Sequence, residues 1–141
     1  WKDTGKIEDL LKASELLLDT MEPHEFPNHG SIDPKAKISG NVHIGLGTQI
    51  GADVTIEGPV IVGENVALNN CNIGPYVTLS GGCEIKRATI KNSSVLDNAV
   101  IDAPMNIVDS LIGKNARLIK RKDTSSEGHR MIIGDKSVIE M

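Results

Sequence analysis

"VHIGLGTQIGADVTIEGPVIVGENVAL", residues 42–68, places an aliphatic side chain at every sixth residue: Ile44, Ile50, Ile56, Val62 and Leu68. Two positions before each stands a second apolar or small residue: Val42, Thr48, Val54, Val60 and Val66. Residues two apart on a strand share one face, so each unit reads as a very short strand with two inward side chains, followed by a turn. The pattern runs outward in both directions. Ile32 and Ile38 precede the stretch, and Ile73, Leu79, Ile85, Ile90, Val95, Ile101, Ile107, Ile112 and Leu118 follow it at steps of five or six. The minor inward position continues as Cys71, Val77, Cys83, Ala88, Ser93, Ala99, Met105, Ser110 and Ala116. A five-residue step shortens only the turn, so the inward pair keeps its phase.

A strand and turn repeated at this period is the signature of a parallel β-helix. Three units per coil put Ile38, Ile56, Ile73, Ile90 and Ile107 on a first wall, and Ile44, Val62, Leu79, Val95 and Ile112 on a second. Ile50, Leu68, Ile85, Ile101 and Leu118 form the third. The expected fold is all-β, about five coils around an aliphatic core, preceded by one amphipathic helix. Glycines directly after the inward aliphatic (Gly45, Gly51, Gly63, Gly74, Gly113) or one residue later (Gly40, Gly58, Gly81) predict positive φ in the turns.

Two segments lie outside the prism. Residues 7–21, with Ile7, Leu10, Leu11, Leu17, Leu18 and Met21 at helical spacing, predict a helix whose Glu8 and Asp9 favour its N-terminal end. "EPHEFPNHG" after it reads as a proline-broken linker. Residues 119–130, "IKRKDTSSEGHR", interrupt the repeat as a polar, mostly basic loop, after which Met131 and Ile133 resume the inward pair. If that loop were a ligand site, Lys120, Arg121 and Lys122 would carry it. The helix and the closing "MIIGDKSVIEM" are expected to cap the two ends.

Composition narrows the function. A formal charge of −4 and a pI near 5.5 leave no basic surface to neutralise nucleic-acid phosphates. No charged leader with an apolar core and no long apolar run occurs, so neither a signal peptide nor a membrane span is expected. Cys71 and Cys83 sit among aliphatic neighbours without metal-ligand spacing, which fits buried free thiols in a reducing, cytoplasmic compartment. His24, His29 and His129 form no metal-binding spacing with each other or with the cysteines. Tyr76, in the turn "GPY", is read as a surface contact or part of an interface, with aromatic enrichment favouring the interface.

His43 lies between inward Val42 and Ile44 and so points outward. A histidine there has a pKa range suited to a general base. The outward positions Lys37, Gln49, Thr55, Thr78, Glu84, Thr89 and Asn106 are polar, while Val100 and Leu111 are apolar. Flat walls of this kind can associate with a copy of themselves, and a homo-oligomer is expected.

Two motifs carry a family resemblance over the whole chain. "WKDTGKIEDLLKAS" resembles the last motif of the catalytic domain of sugar-1-phosphate nucleotidylyltransferases. "IVDSLIGKNARL" and "MIIGDKSVIEM" resemble the β-helical tail of the long-form glucose-1-phosphate thymidylyltransferases. Hexads such as "IGLGTQ" and "VGENVA" are similar to the hexapeptide repeat of left-handed β-helices, and the left hand is implied by that resemblance alone.

The resemblance implies that residues 1–28 are the end of a catalytic domain and residues 29–141 a β-helix domain. The glycine-rich nucleotide-binding motif and catalytic lysine of the family have no counterpart here, so the chain reads as an excised piece, inactive alone. The parent would join dTTP to glucose 1-phosphate, giving dTDP-glucose and pyrophosphate in nucleotide-sugar biosynthesis. Asp3 in "WKDTG" matches the aspartate that helps hold Mg²⁺, with a second carboxylate supplied from elsewhere in the parent. No catalytic residue and no other cofactor-binding residue is expected within the chain. Lys6-Ile7 departs from the threonine and proline that often start the helix in this family, which puts the helix start in question. The β-helix would then serve assembly or regulation. An acetyl-CoA-dependent sugar acyltransferase tail of a bifunctional enzyme, with His43 as its base, is the alternative.

Overall fold

The computed structural model describes residues 4–21 and 28–120, with the later strands Gly128–His129, Ile132–Ile133 and Val138–Glu140. The described chain is a three-walled parallel β-solenoid with one helix, α1 (Thr4–Thr20), beside it. Strands are numbered along the chain. The first wall stacks β2 (Lys37–Ser39), β5 (Thr55–Glu57), β8 (Asn72–Ile73), β11 (Thr89–Lys91), β14 (Asn106–Val108) and β17 (Gly128–His129). The second stacks β3 (Val42–Ile44), β6 (Val60–Val62), β9 (Val77–Leu79), β12 (Ser93–Val95), β15 (Leu111–Ile112) and β18 (Ile132–Ile133). The third stacks β1 (Ser31–Ile32), β4 (Gln49–Ile50), β7 (Ala67–Asn69), β10 (Glu84–Lys86), β13 (Val100–Asp102), β16 (Arg117–Ile119) and β19 (Val138–Glu140).

The register is the one the periodicity predicts. Ile38 pairs with Ile56, which pairs in turn with Ile73, Ile90 and Ile107 along the first wall. Ile44, Val62, Leu79, Val95 and Ile112 pair along the second. Ile50, Leu68, Ile85, Ile101 and Leu118 pair along the third. Strands β1 to β15 complete five coils, β16 to β18 carry the same register into a sixth, and β19 stacks on β16 to begin the next, with Ile133 on Ile112 and Ile139 on Leu118. The polar interruption is shorter than residues 119–130. Ile119 belongs to β16, and Gly128–His129 already pairs with Asn106 and Ile107.

Every minor inward residue from Val42 to Ala116 is buried. The polar ones bring their own hydrogen-bond partners, which burial demands. Thr48 Oγ1 donates to the Gly63 carbonyl at 2.6 Å and accepts the Val66 N–H at 3.1 Å. Ser93 Oγ donates to the Lys91 carbonyl at 2.8 Å and accepts the Ser110 N–H at 3.0 Å. Cys83 Sγ donates to the Leu96 carbonyl at 3.1 Å. Ala103, which lies outside the predicted pairs, is also fully buried, tucked into the corner before Met105.

The corners differ from the glycine reading. Positive φ occurs three residues after the inward aliphatic of the second wall, at Gly47, Asn65, Gly82, Asn98 and Asn115. Each N–H of this stack from Asn65 onward bonds the preceding coil, as Asn65 N–H does to the Leu46 carbonyl at 3.0 Å. Gly45, Gly51, Gly63, Gly58 and Gly81 do not have positive φ; of the predicted positions, Gly40 and Gly74 do. Space explains Gly45: a Cβ there would stand 2.5 Å from the Gly63 carbonyl oxygen. A second rule governs the five-residue steps. Each is turned by one non-glycine residue in the left-handed region, two residues after the inward aliphatic: Asn70, Arg87, Asn92 and Asp109. One residue fewer demands a sharper corner, and Asn and Asp accept that conformation most readily.

Helix α1 begins three residues earlier than predicted and ends at Thr20. Glu8 and Asp9 therefore fall beyond the first turn, where the helix dipole acts weakly. Leu11 and Leu18 are buried, 7% and 2% exposed, whereas Leu10 and Leu17 are 56% and 60% exposed. Tyr76 Oη donates to Asp19 Oδ1 at 2.6 Å, which fixes the end of α1 beside the turn before β9. The helix thus lies on a flank of the solenoid. At the first coil the edge of β3 is instead covered by Asn28, and the His29 N–H bonds the Ile44 carbonyl at 2.8 Å.

Candidate functional site on the solenoid flank

The outward column of the second wall runs His43, Ile61, Thr78, Ser94 and Leu111, in register from β3 to β15. All five are half-buried. Thr78 Oγ1 donates to Ser94 Oγ at 2.9 Å, so the two hydroxyl rungs of the column bond each other. His43 points outward as expected, and its Nδ1 is buried without a hydrogen-bond partner. In a histidine that works as a general base, a hydrogen bond at one nitrogen normally fixes the tautomer so that the other can take the proton. His43 lacks that orienting bond among the described residues.

Tyr76, read from its turn as a surface or interface residue, contacts α1 within the same chain. The hydrogen bond to Asp19 raises the phenol above its ordinary range by favouring the neutral donor, with nearby acidic charge adding to the effect. The two thiols are chemically quiet. Burial pushes Cys71 up to about 12 and Cys83 up to about 11, so neither supplies a thiolate at neutral pH.

Two open depressions mark the other walls. One of about 430 Å³ on the third wall is lined by Ser31, Asp33, Gln49, Gly51, Ala67 and Asn69. The other, about 350 Å³ on the first wall, includes Thr55, Glu57, Asn72, Thr89 and Lys91. Neither brings a histidine or cysteine to its lining. Among the described residues, no three His, Cys, Asp or Glu side chains gather closely enough to hold a metal ion. Asp3, Arg121, Lys122 and His24 lie outside the described residues.

Arg87 is the residue that the sequence reading passed over. Its Nε pairs with Asp102 Oδ1 at 2.8 Å, and Nη2 donates to the Asp102 carbonyl at 2.8 Å and to the Lys120 carbonyl at 2.5 Å. It therefore clamps the corner from which the polar interruption leaves the solenoid. The available signal was its place in the five-residue step from Ile85 to Ile90, where the other shortened steps carry Asn or Asp.

No helix among the described residues is long and apolar enough to cross a membrane. No family model matches the chain. Individual proteins do. A glucose-1-phosphate thymidylyltransferase of Streptomyces antibioticus is 29% identical over 141 residues, covering 100% of this chain and 38% of the relative. Its namesake in Streptomyces griseus is 28% identical over 137 residues, covering 97% of this chain and 37% of the relative. The low-salt glycan biosynthesis nucleotidyltransferase Agl11 of Haloferax volcanii is 30% identical over 142 residues, covering 100% of this chain and 39% of the relative. The chain thus spans under two fifths of the length of these relatives. A β-solenoid with one flanking helix, it is homologous from end to end to a portion of proteins named glucose-1-phosphate thymidylyltransferase.

Proposed function

We propose that this chain is the C-terminal β-helix part of a glucose-1-phosphate thymidylyltransferase. The parent joins dTTP to glucose 1-phosphate in the cytoplasm, releasing pyrophosphate and dTDP-glucose. The end-to-end similarity to proteins of that name carries the reading. A role in assembly or regulation is favoured by an aliphatic core, by the Thr78 and Ser94 hydroxyls bonding each other, and by two thiols held protonated. The walls also offer flat surfaces for self-association into a homo-oligomer. Mg²⁺ belongs to the parent's chemistry, where it neutralises charge on the departing pyrophosphate; Asp3 would contribute one carboxylate, and the other would come from outside the chain.

The test is a pyrophosphate-release assay on the complete gene product, supplied with dTTP, glucose 1-phosphate and Mg²⁺. The expected outcome is dTDP-glucose from the complete product and none from residues 1–141 alone. A complete product that forms no nucleotide-sugar, or turnover by the isolated chain, would contradict the reading. An acetyl-CoA titration separates the alternative: saturable binding lost on His43→Ala would reassign the solenoid as an acyltransferase.

A further inference from the structure

Arg87 joins coils that do not touch. In a stacked repeat each coil contacts only the coils directly before and after it, so a coil far from the middle can open with little help from the rest. Arg87 stands at the corner between the third and first walls in the fourth coil, with Asp102 at that corner in the fifth and Lys120 in the sixth. Its guanidinium holds Asp102 by side chain and carbonyl, then passes over the fifth coil to the Lys120 carbonyl, 33 residues on. Its backbone N–H bonds the Asn70 carbonyl of the third coil at 3.0 Å. One residue thus ties four successive coils.

Lys120 is also where the stack changes. From Ile85 to Ile90 and from Ile101 to Ile107 the first wall follows the third after five or six residues, whereas in the sixth coil the step from Leu118 to His129 is eleven. That is too long for the tight corner of the earlier coils. The corner at residue 87, for its part, does not ask for arginine. At the other five-residue steps the left-handed backbone is held by Asn70, Asn92 and Asp109, types that adopt it more readily. What arginine adds is a planar fork of donors able to span two rungs, about 10 Å. We propose that Arg87 is a latch coupling the sixth coil to the fourth, so that the strands flanking the polar interruption open with the body of the solenoid and not separately from it.

The experiment is amide hydrogen exchange of the complete gene product, read by mass spectrometry, in the wild type and in Arg87→Asn and Arg87→Lys. Asn suits the left-handed corner and deletes the latch; Lys keeps the charge without the fork. In both variants, peptides covering β16 and β18 are expected to exchange at least tenfold faster than in the wild type, while peptides covering β6 and β9 keep their wild-type rates. Unchanged exchange of the sixth coil in Arg87→Asn would overturn the proposal. So would equal acceleration or unfolding of every coil, because Arg87 would then stabilise the solenoid as a whole. Wild-type rates in Arg87→Lys, beside a faster sixth coil in Arg87→Asn, would reject the spanning fork, since one ammonium would suffice.

Discussion

The solenoid and the helix answer the same need, burial of leucine and isoleucine, in opposite ways. In the walls every large inward side chain from Ile44 to Leu118 stacks on its counterpart one coil away, and all are essentially inaccessible. Each coil covers the next, so the core is continuous and its stability grows by neighbour contacts. The helix has no such repetition. Among the described residues one side-chain hydrogen bond from Tyr76 ties it to the walls; Leu11 and Leu18 are buried, and Leu10, Leu16 and Leu17 face outward. A repeat closes upon itself, whereas a single helix depends on whatever lies next to it.

The widest gap between the two regions should appear on truncating the core. Ile85→Ala, in the middle of the third wall, is expected to cost ~2–5 kcal/mol in denaturant unfolding, as for other buried large-to-small changes. A loss below half a kcal/mol would mean the coils do not share one core. Crowding the backbone comes next. Gly45→Ala would put a methyl against the Gly63 carbonyl and the Glu64 N–H, and should cost ~1–3 kcal/mol. Leu18→Ala on α1 is expected to leave the unfolding midpoint of the walls unchanged while accelerating amide exchange along the helix. An equal fall in the midpoint would merge the two regions into one unit.

The smallest effect belongs to the tether. Tyr76→Phe removes the hydrogen bond to Asp19 and should weaken docking of α1, seen as faster helix exchange. The pH dependence has a definite sign. Because the bond raises Tyr76 above its ordinary value of 10.0, the contact is intact below pH 10 and fades as pH climbs through the raised value. The thiols bring the same sign to the walls. Folding raises Cys71 from 9.0 to about 12 and Cys83 to about 11, so wall stability is full below pH 9 and declines above it. Unfolding curves at pH 8 and pH 10.5 check this; greater stability at the higher pH would contradict it.

The walls were legible because an inward pair repeated every five or six residues leaves one register that buries both members. Cys71, Cys83, Thr48, Ser93 and Ser110 read correctly as inward from phase alone, despite being small or polar. The corners were less so. Asn65, Asn98 and Asn115 share with Gly47 and Gly82 a left-handed backbone that glycine spacing did not reveal, and Arg87 holds such a corner only with the help of Asp102 and the Lys120 carbonyl. Those bonds are long-range, beyond any local pattern. On the helix the apolar positions were visible but their assignment was not. Helical spacing marks Leu10 and Leu17 as apolar positions; which neighbour covers them is decided by tertiary structure.

Native-state hydrogen exchange on the 141-residue chain, read residue by residue, tests the contrast between walls and helix most directly. The account predicts that amides of β6 through β13 exchange only through global unfolding, while those of α1 exchange through a smaller local opening whose free energy falls in Tyr76→Phe. Protection of α1 equal to that of the central strands, unaffected by Tyr76→Phe, would contradict it.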